Sequence, residues 1–183
     1  MLPASLDSEH GEVGAVYLAR TEIAARVTEL GAEIAADYRD LDPLLIAPLK
    51  SSVVFLADLT RQIGVPHTLD VIELAPYTGA SNGGVRLLND VDAPIADRHV
   101  LVVEDVVDTG LTLHFLWKTL ALRGPASLNA VTLLDRPYRR LVDDLPVRYV
   151  GFVVPDELFV GYGFDLEERH RSLLDLHVVN ANI

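Results

Sequence analysis

Three acidic residues stand close together in the segment HVLVVEDVVDTGLTLHF at 99–115. Glu104, Asp105 and Asp108 follow an apolar, strand-like run, where like charges repel and loss of water disfavours ionised carboxylates. Thr-Gly-Leu-Thr at 109–112 then leads into a helix-like sequence. Backbone N–H groups at the start of such a helix, together with threonine hydroxyls, hold anions such as phosphate. The segment therefore predicts a ligand that brings hydroxyl groups or a cation to the acids and a phosphate to the turn.

A purely structural interpretation of the same residues stays open at this point. Asp108 or Thr109 would cap the helix, while Glu104 and Asp105 would form a solvated strand end. Two other phosphate-binding patterns are absent from the sequence, the G-x-x-x-x-G-K-[ST] of a P-loop and the G-x-G-x-x-G of a dinucleotide site. The acids in DVVDTG also stand one residue too far apart for a phosphoaspartyl D-x-D-G-T nucleophile.

Periodic patterns predict an α/β framework that positions these residues. Helical spacing predicts helices at 21–40, 51–64 and 111–124, with Thr21 as the N-cap of the first. Apolar runs predict strands at 43–49, 69–75, 98–104, 126–134, 147–154 and 174–180. Alternating strands and helices are typical of a mostly parallel sheet, which binds ligands at the carboxyl ends of its strands.

Two segments of the chain carry little to bury. Residues 1–14 are polar and acidic without an apolar period, which predicts a mobile tail before a single domain at 15–183. PYTGASNGGV at 76–85 contains three glycines and predicts a mobile loop, which we interpret as a lid.

Composition excludes several classes of protein. The formal net charge is -12, from 15 basic and 27 acidic residues, so nucleic-acid binding is not expected. The chain has no cysteine, so a disulfide framework is impossible and a cytoplasmic setting is expected. We expect no membrane span, because no run of about 18 uncharged apolar residues occurs.

Four motifs occur in an order that resembles one known family. They are PLKSSVVFLADL at 48–59, the acidic segment at 99–115, LLDRPYRR at 133–140 and YVGFVVPDELFVGYGFDLEERHRSL at 149–173. In this order they are similar to the pyrophosphate loop, the phosphoribosyl-pyrophosphate (PRPP) loop, the base-recognition segment and the C-terminal signature of type I phosphoribosyltransferases. The hypoxanthine-guanine branch is the most similar one.

The resemblance implies a fold and a reaction. The fold would be a mostly parallel central sheet flanked by helices, with a small C-terminal hood over the base. The reaction would transfer 5-phosphoribosyl from PRPP to a purine base, hypoxanthine or guanine, and release pyrophosphate in purine salvage. Mg²⁺ would be the cofactor, PRPP and a purine base or nucleoside monophosphate the ligands, and a homodimer or homotetramer the assembly.

The resemblance also implies roles for individual residues. Asp108 would be catalytic beside purine N7. The PRPP loop would comprise Glu104, Asp105, Asp108, Thr109, Gly110, Leu111 and Thr112. Pyrophosphate would contact Lys50, Ser51 and Arg171. The base would contact Arg136, Leu158, Phe159 and Asp165, and the metal would lie at Glu104, Asp105 and Asp165.

Four departures from the family pattern concern the base and pyrophosphate ends of the site. Ser51 replaces a glycine, which would strain the backbone if an unusual geometry is needed there. Arg136 replaces a lysine, Leu158 replaces an aromatic residue, and the lid is short, with Pro76-Tyr77 at its start. Two alternatives therefore stay open: a phosphoribosyltransferase for a different nitrogenous base, and a catalytically weak nucleotide-binding or regulatory member of the fold.

Overall fold

The computed structural model describes residues 12–77 and 84–180. The α-helices in these residues are α1 (Arg20–Asp37), α2 (Ser52–Gln62) and α3 (Leu111–Ala121), and a short 3-10 helix spans Pro137–Arg139. The strands in these residues are β1 (Glu12–Leu18), β2 (Leu44–Leu49), β3 (Thr68–Tyr77), β4 (Gly84–Asn89), β5 (His99–Val107), β6 (Ser127–Asp135), β7 (Val147–Val153), β8 (Phe159–Val160) and β9 (Leu176–Asn180). None of the described helices is long and apolar enough to cross a bilayer.

The main sheet has six strands in the order β4-β3-β2-β5-β6-β7. Only the β3–β4 pair is antiparallel, and the remaining neighbours are parallel. This confirms the predicted α/β fold with a mostly parallel sheet. The central strands are apolar on both faces because helices cover both sides.

Alternate side chains of β5 enter the two halves of the core. Leu101 and Val103 pack with residues of α1 and α2 on one face. Val100 and Val102 pack with residues of α3 on the opposite face. The same alternation continues toward the carboxyl end of the strand, where it delivers two neighbouring acids to the ligand edge of the sheet.

A second, three-stranded sheet has the order β1-β9-β8 and forms the small hood. Both strand pairs are antiparallel. The hood sheet therefore combines β1, from the N-terminal part of the chain, with β8 and β9 from the C-terminal part. Residues 12–14 therefore lie in β1, which corrects the predicted tail over those three residues. The other residues of that prediction, 1–11, lie outside the described part of the chain.

Two further boundaries differ from the sequence prediction. The N-cap of α1 is Ala19, not Thr21. Its N–H donates to the Glu22 carboxylate at 2.9 Å, and the next N–H, of Arg20, donates to Asp175 at 2.7 Å. At the predicted lid, β3 continues through Tyr77 and β4 begins at Gly84, whereas 78–83 lie outside the described residues.

Candidate active site

Two of the predicted acids lie inside β5, because the strand continues to Val107. Glu104 is paired in register with Thr132 of β6, and the side chains of Glu104 and Asp105 are buried at 5% and 7% exposure. The interpretation as a solvated strand end is therefore wrong. A buried carboxylate pair requires hydrogen bonds, protonation or a ligand.

The two buried carboxylates differ in the hydrogen bonds that they accept from the protein. Asp105 Oδ1 accepts a hydrogen bond from Ser52 Oγ at 3.3 Å. Burial raises the pKa of Asp105, and hydrogen bonds from Ser51 and Ser52 oppose that rise. Glu104 Oε1 is buried and has no hydrogen-bond partner among the described residues. Burial, and then the neighbouring Asp105, raises the pKa of Glu104 well above its usual range. Glu104 therefore carries an acceptor that the protein itself leaves unused.

The turn after β5 has the backbone geometry of an anion cradle. Gly110 is the N-cap of α3 and has φ +84°, a conformation that favours glycine. A Cβ at this position would lie 2.6 Å from Leu145 Cδ1, so the Leu145 side chain would have to move. The Leu141 N–H donates to the Thr109 carbonyl at 2.9 Å, so the segment after β6 also fixes the turn. The first two residues of α3 line a cavity at the carboxyl end of the sheet, and the first N–H groups of a helix have no acceptor within the helix.

A cavity of about 480 Å³ joins the acids to this turn. The predicted site residues that line it are Ser51, Glu104, Asp105, Asp108, Thr109, Gly110, Leu111 and Thr112. The predicted site residues outside its wall are Lys50, Arg136, Leu158, Phe159, Asp165 and Arg171. The cavity is therefore lined by the whole predicted PRPP loop and by Ser51 of the predicted pyrophosphate loop. Most of the other predicted site residues lie in two further clusters.

The first of these clusters surrounds Asp108. Arg136 Nη1 lies 3.5 Å from Asp108 Oδ2, and Arg139 Nε lies 3.8 Å from Asp108 Oδ1. Arg139 also pairs with Asp156 at 3.5 Å. The sequence interpretation missed Arg139, although the doublet in LLDRPYRR was the available signal. The carboxylate predicted to act at purine N7 is thus flanked by two guanidinium groups.

The two predicted base-contacting residues after β7 are placed differently. Leu158 has 59% of its surface exposed, whereas Phe159 is 8% exposed and belongs to the core. The Phe159 ring packs on Tyr17 of β1 with centroids 4.8 Å apart. Arg136 lies on the same ring, with its guanidinium carbon 5.8 Å from the centroid.

The second of these clusters joins the two predicted pyrophosphate cations. Lys50 Nζ and Arg171 Nη2 both lie 3.1 Å from Glu168 Oε2, and Arg171 Nη2 lies 2.8 Å from Asp165 Oδ1. Lys50 and then Arg171 lower the pKa of Glu168. The sequence interpretation missed Glu168, since nothing in EERHRS marks which acid meets the cations. In the free protein the exposed Glu168 carboxylate therefore accepts hydrogen bonds from Lys50 and Arg171, the two cations that are predicted to bind pyrophosphate.

The pyrophosphate loop and the hood meet at a glycine. Gly163 has φ +98°, and a Cβ there would lie 2.4 Å from the Ser51 carbonyl oxygen. Arg171 Nη1 donates to the Gly163 carbonyl at 2.9 Å. Ser51 itself has φ -63° and ψ -35°, ordinary helical values, so the expected strain at this serine is wrong.

The predicted metal ligands do not form a pre-assembled cage. Among residues 12–77 and 84–180, no group of three or more His, Cys, Asp or Glu side chains is close enough to hold an ion. Asp165 instead pairs with Arg171, while Glu104 and Asp105 share the cavity. A cation at this site would therefore take protein ligands from the carboxylate pair and further ligands from a bound molecule.

Known proteins are similar to this chain in sequence and in fold. The family model for the phosphoribosyl transferase domain matches residues 16–163. The chain belongs to the type I phosphoribosyltransferase family. Within it, the chain falls in the hypoxanthine-guanine branch: hypoxanthine phosphoribosyltransferase of Haemophilus influenzae is 44% identical over 163 residues, covering 86% of this chain and 90% of the relative.

Solved structures agree with this assignment. A hypoxanthine-guanine phosphoribosyltransferase from Bacillus anthracis superimposes with a TM-score of 0.86 at 41% identity, covering 92% of this chain and 98% of that one. Hypoxanthine phosphoribosyltransferase from Trypanosoma cruzi, in complex with the product IMP, gives a TM-score of 0.85 at 36% identity. That comparison covers 96% of this chain and 98% of the other.

Proposed function

We propose that the protein transfers a 5-phosphoribosyl group from PRPP to hypoxanthine or guanine and releases pyrophosphate. The observation that carries the proposal is the single cavity that joins the buried Glu104–Asp105 pair to the anion cradle at Gly110. The acids at one part of the cavity suit ribose hydroxyls, and the turn at Gly110 suits a 5'-phosphate. The names of the relatives support a purine as the acceptor base, since the Haemophilus protein is a hypoxanthine phosphoribosyltransferase and the Trypanosoma structure contains IMP.

In this proposal the acids and the turn hold the sugar phosphate. Hydroxyl groups of the ribose donate to Glu104 and Asp105 and satisfy the unused Oε1 acceptor. N–H groups at the start of α3, with Thr109 and Thr112, donate to the 5'-phosphate. This grip fixes the anomeric carbon between the leaving group and the incoming base, so most of the rate would come from positioning and electrostatics.

The leaving group and the base would be handled by the two further clusters. Lys50 and Arg171 exchange the Glu168 carboxylate for the pyrophosphate oxygens and stabilise the charge that develops on them. Asp108 takes the proton from the attacking purine at N7, and Arg136 donates to the 6-oxo group. Arg139 adds a second positive charge beside Asp108, with its Nε 3.8 Å from Asp108 Oδ1.

The residues present fit Mg²⁺. Glu104 offers an unpartnered oxygen beside Asp105, and Mg²⁺ in phosphate-binding sites is commonly held by one or two carboxylates plus substrate oxygens. When bound, the ion would neutralise charge on the pyrophosphate. Glu104 and Asp105 would hold it together with the ribose, and Asp165 would contribute after Arg171 turns to the pyrophosphate.

Thermal unfolding with PRPP tests the binding part of the proposal. Ligand binding to the native state stabilises it by RT ln(1 + [L]/Kd), about 2.7 kcal/mol at a hundredfold excess over Kd. We expect millimolar PRPP with Mg²⁺ to raise Tm, and ribose 5-phosphate to raise it less because it lacks the pyrophosphate. An unchanged Tm with PRPP and Mg²⁺ would reject the proposal.

A transferase for another nitrogenous base is the second candidate. Two observations favour it: Arg136 is bulkier than a lysine at the base end, and Leu158 is largely exposed, away from the core. A binding assay with the free bases in the presence of PRPP analogues separates the two candidates, since hypoxanthine and guanine should bind most tightly under the first.

A further inference from the structure

The side chains of Arg136 and Phe159 form one buried contact next to Asp108, which lines the cavity. The guanidinium carbon of Arg136 lies 5.8 Å from the centroid of the Phe159 ring, within the range of a cation–π interaction. Arg136 is 7% exposed and Phe159 is 8% exposed. Water therefore screens this contact little, and such contacts are stronger when desolvated.

A third side chain fixes the ring of Phe159. Tyr17 packs against it with centroids 4.8 Å apart and planes at 46°. Phe159 lies on β8 and Tyr17 on β1, and both strands are hydrogen-bonded to β9. The ring is thus held by the three-stranded sheet of the hood, so it offers the guanidinium a fixed surface.

The other restraints on the Arg136 side chain are weak. Its Nε is buried and has no hydrogen-bond partner among the described residues. Its Nη1 reaches Asp108 Oδ2 only at 3.5 Å, which is long for a charge-assisted hydrogen bond. An arginine loses considerable rotamer freedom when it is held in one conformation, so a guanidinium needs a surface to hold it.

We propose that Phe159 is a positioning residue for base recognition, because its ring, backed by Tyr17, holds the Arg136 guanidinium with its N–H donors available to a purine carbonyl. The family resemblance implies only backbone contacts from Phe159 to the base, so this is an additional role for its side chain. It rests on the proposed function. It also gives a physical reason for an arginine at position 136, since a planar guanidinium stacks on a ring better than an ammonium does.

Ligand binding to four proteins tests the role. Calorimetry measures Kd for IMP, which carries the base, and for PRPP with Mg²⁺, which lacks it, in the unmodified protein, Phe159→Leu, Arg136→Met and the double variant. We expect Phe159→Leu to weaken IMP binding roughly 5- to 30-fold and to leave PRPP binding within about twofold. In the Arg136→Met background, Phe159→Leu should change the IMP affinity less than about twofold. Phe159→Tyr, which keeps the ring, should retain IMP affinity.

Equal weakening of IMP and PRPP by Phe159→Leu would overturn the proposal, because a general loss of structure affects both ligands. Additive losses in the double variant would overturn it as well.

Urea unfolding of the same four free proteins tests the contact without any ligand. Phe159→Leu removes a stabilising contact, so it should increase the unfolding equilibrium constant [U]/[N]. We expect this increase to be roughly fivefold smaller when Arg136 is already replaced by methionine. An equal increase in both backgrounds would overturn the contact even in an active enzyme. If the unmodified protein bound neither IMP nor PRPP, the proposed function and the positioning role would both be rejected, and the unfolding data would still show whether the pair itself exists.

Discussion

Arg136 Nη1 lies 3.5 Å from Asp108 Oδ2, so the residue predicted to read the base contacts the residue predicted to move its proton. The contact bridges β5 and the turn after β6, whose carboxyl ends are neighbours in the sheet. The Arg136 N–H donates to the Val107 carbonyl at 3.0 Å and fixes the backbone beside Asp108. A purine that reached Arg136 with its 6-oxo group would therefore present N7 to the adjacent carboxylate.

Replacing Asp108 by asparagine should separate chemistry from sugar-phosphate binding. An asparagine side chain cannot take a proton, and general acid–base roles contribute about 10² to 10⁴ in rate. We expect kcat to fall by that factor while Kd for PRPP with Mg²⁺ changes little. Asp40→Asn removes an exposed carboxylate and is the matched control. If Asp108→Asn turned over at the wild-type rate, the catalytic role of Asp108 would be contradicted and only a structural role would remain.

Arg136 should give the protein a preference for 6-oxo purines over adenine. A guanidinium only donates hydrogen bonds, whereas adenine presents an amino donor at that position. The mismatch costs about 1 to 3 kcal/mol, or roughly a 5- to 150-fold preference in kcat/KM. Arg136→Lys should keep the preference. Arg136→Gln should weaken it, because the glutamine carbonyl can accept a hydrogen bond from the adenine amino group. Equal turnover of adenine and hypoxanthine by the unmodified protein would contradict this role.

Glu104→Gln should stabilise the free protein increasingly as pH rises above the ordinary glutamate pKa of 4.5. Because burial raises the pKa of Glu104, the stability it contributes is complete below its ordinary pKa of 4.5 and is lost as pH rises through the raised value. The glutamine variant lacks this loss, so its advantage in the free energy of unfolding should grow with pH, on the order of 1 to 3 kcal/mol. Urea unfolding at a series of pH values above 4.5 measures this difference in the free energy of unfolding. Glu157→Gln, at an exposed position, is the control.

The same variant should lose the stabilisation that PRPP with Mg²⁺ provides, since glutamine is a poor metal ligand. A pH-independent difference between Glu104→Gln and the unmodified protein would show that the carboxylate does not titrate in that window.

Gly163→Ala should disturb the pyrophosphate loop specifically. A Cβ there would lie 2.4 Å from the Ser51 carbonyl oxygen, and φ is +98°, so backbone must move. We expect a loss of about 1 to 3 kcal/mol of stability and a raised KM for PRPP. Gly64→Ala is the matched control, since a Cβ on Gly64 would meet no atom within 4 Å. A normal KM for PRPP in Gly163→Ala would contradict the coupling of hood and loop.

Apolar patterning predicts the parallel sheet well because its strands are buried on both faces. The burial of β2 and β5 is nearly continuous, and the runs LLIAP in β2 and VLVV in β5 are entirely apolar in the sequence. The acidic strand end and the Gly110 turn were also predictable, because their chemistry is local in sequence.

Features that depend on distant contacts were not predictable in the same way. Strand β1 is mostly exposed and is stabilised by pairing with β9, so no apolar period marks it. Glu168 meets Lys50 across 118 positions of sequence, and Arg136 meets Phe159 only after the hood has folded. Such pairs depend on tertiary structure, which sequence spacing does not reveal.

The most direct measurement of the central claim is product formation from PRPP, Mg²⁺ and each of hypoxanthine, guanine, xanthine, adenine and non-purine bases. Pyrophosphate release and the nucleoside monophosphate are quantified together, with an Asp108→Asn sample and a sample without Mg²⁺ as controls. The account predicts equimolar pyrophosphate and IMP or GMP, with hypoxanthine or guanine as the best acceptor and little product in either control. Absence of a nucleotide product from both hypoxanthine and guanine would contradict it, and product from a non-purine base alone would support the second candidate.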